Sequence, residues 1–184
     1  MKKPTAEKAA IKTDDPSIRI LKIATCPSLS GRSTLTYHIG CKSESKSEPS
    51  SKGDTGKNPE IQFRVYANTA RGFFSKEWVS ASAIQKAFAK IPVNSPVSSP
   101  SLNAIFHGRS VNTAGFLLAV LKAEELVAVM KDKQRYYQRT DSSGFVAEVK
   151  SLMASAIALN TDDKPGIQPK VPRKAIQTGK AQKA

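Results

Sequence analysis

Few residues of the chain have the types and spacing that catalysis or metal binding requires. The only histidines are His38 and His107, and the only cysteines are Cys26 and Cys41. Nucleophilic catalysis needs a nucleophile, a base and a group that orients the base, and these scattered residues suggest no such set. They also include no closely spaced pair of zinc ligands. We therefore expect a protein that is not an enzyme and that holds no metal or other cofactor.

The segment 24–34, ATCPSLSGRST, comes closest to a phosphate-binding loop, because it follows a predicted strand and contains Gly31. Cys26 stands where such a loop has its first glycine, and Arg32 replaces the lysine. A predicted strand also follows, where the N-terminus of a helix should cradle the phosphate. The sequence therefore predicts an ordinary turn rather than a nucleotide site.

The charge balance indicates the class of partner. The 184 residues include 29 Lys and Arg against 15 Asp and Glu, a net charge of +14. Such a bias favours polyanions: DNA, RNA or an anionic membrane surface. No run of residues approaches the roughly 18 apolar positions that span a bilayer, and the first fifteen residues lack the apolar centre of a secretory signal. We expect a nucleic-acid partner, no membrane association and a cytoplasmic location.

Much of the positive charge falls in segments that are predicted to be ordered. Residues 17–41 and 61–91 contain one acid, Glu77, and eight basic side chains: Arg19, Lys22, Arg32, Arg64, Arg71, Lys76, Lys86 and Lys90. A solvated surface normally mixes both signs, so this excess points to a binding surface. The alternative is that the charge serves solubility alone.

Alternating apolar residues predict a sheet in the first half of the chain. The predicted strands are 17–25, 33–41, 60–67 and 72–79, and a helix capped by Ser80 or Ser82 follows to about Ile91. In the third strand, Arg64 and Tyr66 fall on the outer, polar face, and His38 falls on the outer face of the second strand. A hairpin of the first two strands keeps Cys26 and Cys41 too far apart for a disulfide.

Sheet faces of this kind bind single strands, because basic groups hold phosphates while an aromatic ring stacks on an unpaired base. The candidate contacts in this half are Arg64, Tyr66, Arg71 and Lys76. Four strands followed by a helix, with Gly-Phe-Phe-Ser at 72–75 and Trp78 just before that helix, are similar in topology to the p15-type single-strand-binding transcription coactivators. The resemblance covers residues 17–91 and implies binding of single-stranded nucleic acid.

Residues 92–101 hold three prolines and four serines, which predicts a linker and a domain boundary. The second half then predicts a helix over 113–126, a hairpin with arms at 126–130 and 135–140, and a last helix over 144–159. A helix ending in Lys-Ala-Glu-Glu-Leu-Val before a hairpin with a basic tip resembles the end of a winged helix-turn-helix domain.

In winged helix-turn-helix domains, the helix enters the major groove and the hairpin touches the DNA backbone. The resemblance implies phosphate contacts by four residues: Lys131, Lys133, Arg135 and Arg139. It also implies that Tyr136 or Tyr137 packs under the wing. The alternative for the helix is a core position, because Lys122 is its only basic residue.

The predicted fold class is α+β, a four-stranded antiparallel sheet plus helix followed by a small helical unit with a β-hairpin that is winged-helix-like. The predicted domains are a flexible lead (1–16), a sheet domain (17–91) with a solvated loop (42–60), a linker (92–101), a helical domain (102–159) and a disordered basic tail (160–184). The predicted function is nucleic-acid binding, DNA before RNA, in a regulatory or accessory role. The alternative is a protein-interaction factor, such as an inhibitor or a mobile-element or conjugation accessory protein, with an acidic protein partner. The oligomeric state stays open, and a dimer is compatible with the sequence.

Overall fold

The computed structural model describes residues 15–42, 59–70, 72–93, 95–106, 110–155 and 158–165. Most of the predicted lead, most of the solvated loop 42–60 and most of the basic tail lie outside these ranges. Within them, the predicted α+β fold class is confirmed: a four-stranded antiparallel sheet, helices and a separate β-hairpin.

The sheet has the strand order β1-β2-β3-β4, and every neighbouring pair is antiparallel. Its strands are β1 (Ile18–Pro27), β2 (Thr34–Lys42), β3 (Glu60–Asn68) and β4 (Val79–Ser80). The prediction of a strand over 72–79 is wrong except for its last residue, because 72–78 do not pair with the sheet. Cys26 and Cys41 are buried and unpaired, and they lie near opposite ends of the β1–β2 ladder, as predicted.

Helices and one hairpin complete the architecture. They are α1 (Ala81–Ala89), a 3-10 helix (Ser99–Ile105), α2 (Val111–Ala123), β5 (Val127–Met130), β6 (Lys133–Arg139) and α3 (Ser143–Ala154). The predicted cap of α1 is confirmed, because the Ser80 hydroxyl accepts a hydrogen bond from the Ala83 amide at 3.1 Å. After α3, the Leu159 amide donates to the Ile20 carbonyl at 3.2 Å, on the outer edge of β1.

The helix α2 forms the centre of the core. Its residues Leu117, Leu118 and Leu121 are all buried against one face of the sheet, together with Leu35 and Phe63. A recognition helix needs an exposed face to enter a major groove. Over residues 112–123 of α2, the exposed residues are Asn112, Lys122 and Ala123, at its two ends. The groove-reading role that the winged-helix resemblance implied is therefore wrong, and the alternative of a core helix is confirmed. No helix in the described ranges is long and apolar enough to cross a membrane.

The predicted linker 92–101 packs against the rest of the fold. Val97 is fully buried and exchanges two backbone hydrogen bonds with Tyr137, at 2.7 and 2.9 Å. The 3-10 helix begins at Ser99 and buries Leu102. Residues on both sides of the segment share one hydrophobic cluster. The division into two domains remains a prediction, and the shared core makes the described parts depend on each other for stability.

Candidate nucleic-acid interface

The β5–β6 hairpin is attached to the body through one of its strands. Tyr137 of β6 is buried and pairs with Val97, and Val127 of β5 is buried in the core. Most other hairpin residues are exposed or half-buried. Because the attachment uses only a few positions, the remaining side chains of the hairpin are free to face solvent.

Three basic residues occupy the exposed part of the hairpin: Lys131, Lys133 and Arg135, hereafter the hairpin cations. The only acid between Val127 and Arg139 is Asp132. Tyr136 is 42% exposed, and the Lys133 ammonium lies 5.8 Å from the centre of its ring. The hairpin therefore brings cations and an exposed aromatic ring together on ordered backbone.

Arg139 lies at the base of the hairpin rather than near its tip. Its Nη2 donates to the carbonyl oxygens of Ile91 at 2.8 Å and Pro92 at 3.4 Å. Its guanidinium carbon lies 5.8 Å from the centre of the Phe88 ring. These contacts hold the side chain against the end of α1, away from the other predicted wing contacts.

The prediction that Arg64 lies exposed on the outer face of the sheet is wrong. Only 1% of Arg64 is accessible, and its guanidinium carbon lies 4.4 Å from the ring centre of Trp78 and 5.2 Å from that of Tyr66. Its Nη2 lies 2.9 Å from the Nδ1 atom of His38. Trp78, from the segment that precedes β4, lies over the guanidinium, so Arg64 serves as a buried cation between aromatic rings.

The neighbours of Arg64 are also engaged within the protein. His38, predicted at the surface, is fully buried, and its ring stacks on Tyr66 with 4.6 Å between centres. The Tyr66 hydroxyl donates to the Asp162 carboxylate at 2.7 Å, and the Lys76 ammonium lies 4.8 Å from the Tyr66 ring centre. Lys76 is exposed, whereas Arg71 lies outside the described residues. The structure thus brings three sheet-face candidates together, but as part of a packed cluster.

Two further basic residues of the sheet are held by distant partners. Arg19 donates to the carbonyl oxygens of Met153 at 2.8 Å and Ser155 at 3.2 Å, at the C-terminal end of α3. Lys22 lies 2.9 Å from the carboxylates of both Glu124 and Glu148. Both residues therefore stabilise the fold, and they offer little to an external anion.

Glu124 is the centre of a buried polar cluster that the sequence did not reveal. One of its oxygens binds the Lys22 ammonium, and the other accepts a short hydrogen bond from the Tyr37 hydroxyl. Burial, reinforced by the Glu124 charge, raises the pKa of Tyr37 far above its usual range. Burial and the same charge also raise the pKa of the Cys26 thiol to about 11. Cys26 is thus held as a neutral thiol, which does not favour a nucleophilic role.

An apolar cavity is a second feature that the sequence did not reveal. It has a volume of about 230 Å³ and lies between α1, β3, α3 and the base of the hairpin. Phe63, Ile84 and Phe145 line its inner part, and Arg139 lines it near the surface. No group of three or more His, Cys, Asp or Glu residues in the described part of the chain is arranged to hold a metal ion.

The described ranges contain 15 of the 29 basic residues and 10 of the 15 acidic residues. The larger share of the excess positive charge therefore belongs to residues outside them. No family model matches the chain, and no curated protein or solved structure is significantly similar to it.

Proposed function

We propose that this protein binds nucleic acid, DNA before RNA, through the hairpin cations Lys131, Lys133 and Arg135, in a regulatory or accessory role without catalysis. The observation that carries the proposal is the exposure of three cations and one acid on a hairpin that the core holds in place. Lys and Arg side chains on ordered backbone can each neutralise a phosphate and release its counterion. Buried, unpaired Cys26 and Cys41 fit a reducing, cytoplasmic location, which is part of the proposal.

Tyr136 gives this surface a way to prefer unpaired strands. Its exposed ring can stack on a base, and stacking does not depend on the identity of that base. Lys133, which lies over the same ring, can reach the adjacent phosphate. We do not include Arg64 in the interface, because it is buried, nor Arg139, because its contacts with Ile91 and Pro92 hold it at the base of the hairpin.

The test measures the affinity of the full chain for a fluorescent 20-nucleotide single strand, the matching duplex and an RNA of the same sequence. Each titration is repeated at several salt concentrations by fluorescence anisotropy. In the triple variant Lys131→Gln, Lys133→Gln, Arg135→Gln, the slope of log K against log salt should become shallower by about 2 for the single strand and about 3 for the duplex. Tyr136→Ala should weaken the single-strand complex more than the duplex complex.

A matched control removes the same charge from other places. Arg32, Lys122 and Lys150 are exposed, and none forms an ion pair within the described residues. Their triple change to Gln should leave the slope closer to that of the unmodified protein than the hairpin variant does. Equal effects of the two triple variants would show that net charge alone attracts nucleic acid, and the hairpin would lose its assigned role.

An acidic protein partner is the second candidate function. Within the described residues, β5 pairs with β6 on one side only, and Val129 on this strand is 38% exposed. An extended segment of another protein could add to that open edge while its acids meet the hairpin cations. Affinity capture with and without nuclease separates the candidates, because a partner retained after nuclease treatment favours protein contact.

A further inference from the structure

The apolar cavity has walls that suit a small organic molecule. The rings of Phe63 and Phe145, which line it, stack on each other with 5.6 Å between their centres. Ile84 and Leu121 add aliphatic surface to the wall. An apolar cavity of about 150 Å³ is enough to hold benzene. The volume of about 230 Å³ found here therefore accommodates an aromatic ring with a short chain attached.

A single fixed cation lines the same cavity. The Arg139 guanidinium is oriented by the carbonyl oxygens of Ile91 and Pro92, which both accept from Nη2. A guanidinium has five N–H donors, so the donors on Nη1 and Nε stay available to a further acceptor. No carboxylate forms an ion pair with Arg139 among the residues that the structure describes.

The acid nearest in sequence to this cation is Asp141, and it does not line the cavity. The Asp141 carboxylate accepts hydrogen bonds from the amide of Ser143, at 3.1 Å, and from its hydroxyl. These bonds lower the pKa of Asp141 and fix it at the start of α3. Apart from Arg139, the polar side chains that line the cavity are uncharged: Gln85, Thr140 and Ser142. The charge at the cavity is therefore that of Arg139.

We propose that this cavity is a binding site for a small amphipathic carboxylic acid, with an aryl or short alkyl body. The apolar body would lie against Phe63, Phe145 and Ile84, and the carboxylate would accept hydrogen bonds from Arg139. Charge-assisted pairing of a guanidinium with a carboxylate is strong and directional, and it selects an anion over a neutral or cationic analogue. Since Arg139 is not one of the hairpin cations, the site stands independently of nucleic-acid binding.

The experiment uses the full chain and three probes of one shape: 4-phenylbutyrate, 4-phenylbutanol and 4-phenylbutylamine. Calorimetric titration should give the highest affinity for the carboxylate. Arg139→Gln should weaken its binding about tenfold, the loss expected for one hydrogen bond to a charged group. Arg32→Gln removes the same charge from an exposed position outside both the cavity and the hairpin, and it should leave the affinity unchanged.

A second measurement does not depend on the folding of any variant. In methyl spectra of the unmodified protein, phenylbutyrate should shift the signals of Ile84, Leu121 and Val146, which line the cavity. Ile23 is buried, but it neither lines the cavity nor belongs to the main hydrophobic cluster, so its signal should not move. Shifts confined to other methyl groups, equal affinity for the alcohol, tighter binding of the amine, or no binding of phenylbutyrate would each overturn the proposal.

Discussion

Replacing Lys22 with Met should destabilise the fold, because the change leaves the carboxylate of Glu124 buried without its cation. The Lys22 ammonium lies 2.9 Å from one oxygen of Glu124 and 2.9 Å from one oxygen of Glu148. Only 3% of the Glu124 side chain is exposed, compared with 32% of the Glu148 side chain. Met retains the apolar stem of the lysine, so the change removes charge with little loss of packing.

Removing one partner of a buried ion pair costs about 3 to 5 kcal/mol, because the other charge stays desolvated. Water reaches part of the Lys22 side chain, and Tyr37 continues to donate to Glu124, so we expect the lower end, about 3 kcal/mol. For a domain of this size, that loss corresponds to a fall in Tm of about 6 to 12 °C. Glu148→Gln should cost less than about 1 kcal/mol, because its carboxylate is partly solvated.

Urea unfolding at pH 7, followed by circular dichroism, measures the free energy of unfolding of each variant. The double variant Lys22→Met, Glu124→Gln tests the cause, because it removes both charges while the Gln can still accept from Tyr37. It should recover more than half of the stability lost in Lys22→Met. A double variant that recovers no stability, or equal effects of Lys22→Met and Glu148→Gln, would show that the buried charge of Glu124 is not the cause.

Three further predictions concern the same sheet. The two carboxylates outweigh burial and raise the pKa of Lys22, and burial raises that of Tyr37, so both groups hold their protons more tightly when folded. Burial raises the pKa of Cys26 as well, to about 11, so the free energy of unfolding should be retained up to about pH 8 and fall above it. Tyr37→Phe should make the part of the fall above about pH 10 shallower in alkaline urea titrations. Gly40→Ala should lower the free energy of unfolding by about 2 kcal/mol, because the added carbon would lie 2.6 Å from the Cγ2 methyl group of Ile18. Gly144 faces open space, so Gly144→Ala should lower it by less than about 0.5 kcal/mol in the same assay. Cys26 should resist alkylation by iodoacetamide at pH 8 until urea unfolds the chain; fast labelling of the native protein would contradict its burial.

Periodicity predicted the regular elements well wherever one face of an element is buried. The predicted strand 60–67 corresponds to Glu60–Asn68, and the predicted helix after Ser80 corresponds to Ala81–Ala89. Alternation also placed Arg64 and His38 on the same face of the sheet, and the two residues are direct cross-strand partners. A period of two reports which side chains share a face, and this part of the inference succeeded.

The same pattern does not report what covers a face. Arg64 is buried because Trp78, in a segment that does not pair with the sheet, lies over its guanidinium, and no local signal in 72–78 distinguished this segment from a strand. Charge placement failed for a similar reason. Lys22 is separated from its partners Glu124 and Glu148 by 102 and 126 positions, so the sequence showed an excess of cations where the fold contains an ion-pair network.

The contact between Leu159 and Ile20 has a consequence for the behaviour of the protein in concentrated solution. β1 is an edge strand of its sheet, and an edge strand has unpaired amide and carbonyl groups with which another chain can form hydrogen bonds. By pairing with Ile20, Leu159 in the segment after α3 covers part of this edge and shortens the stretch with which another chain could pair. Proteolytic loss of this segment would therefore favour self-association and precipitation, even where the rest of the fold survives.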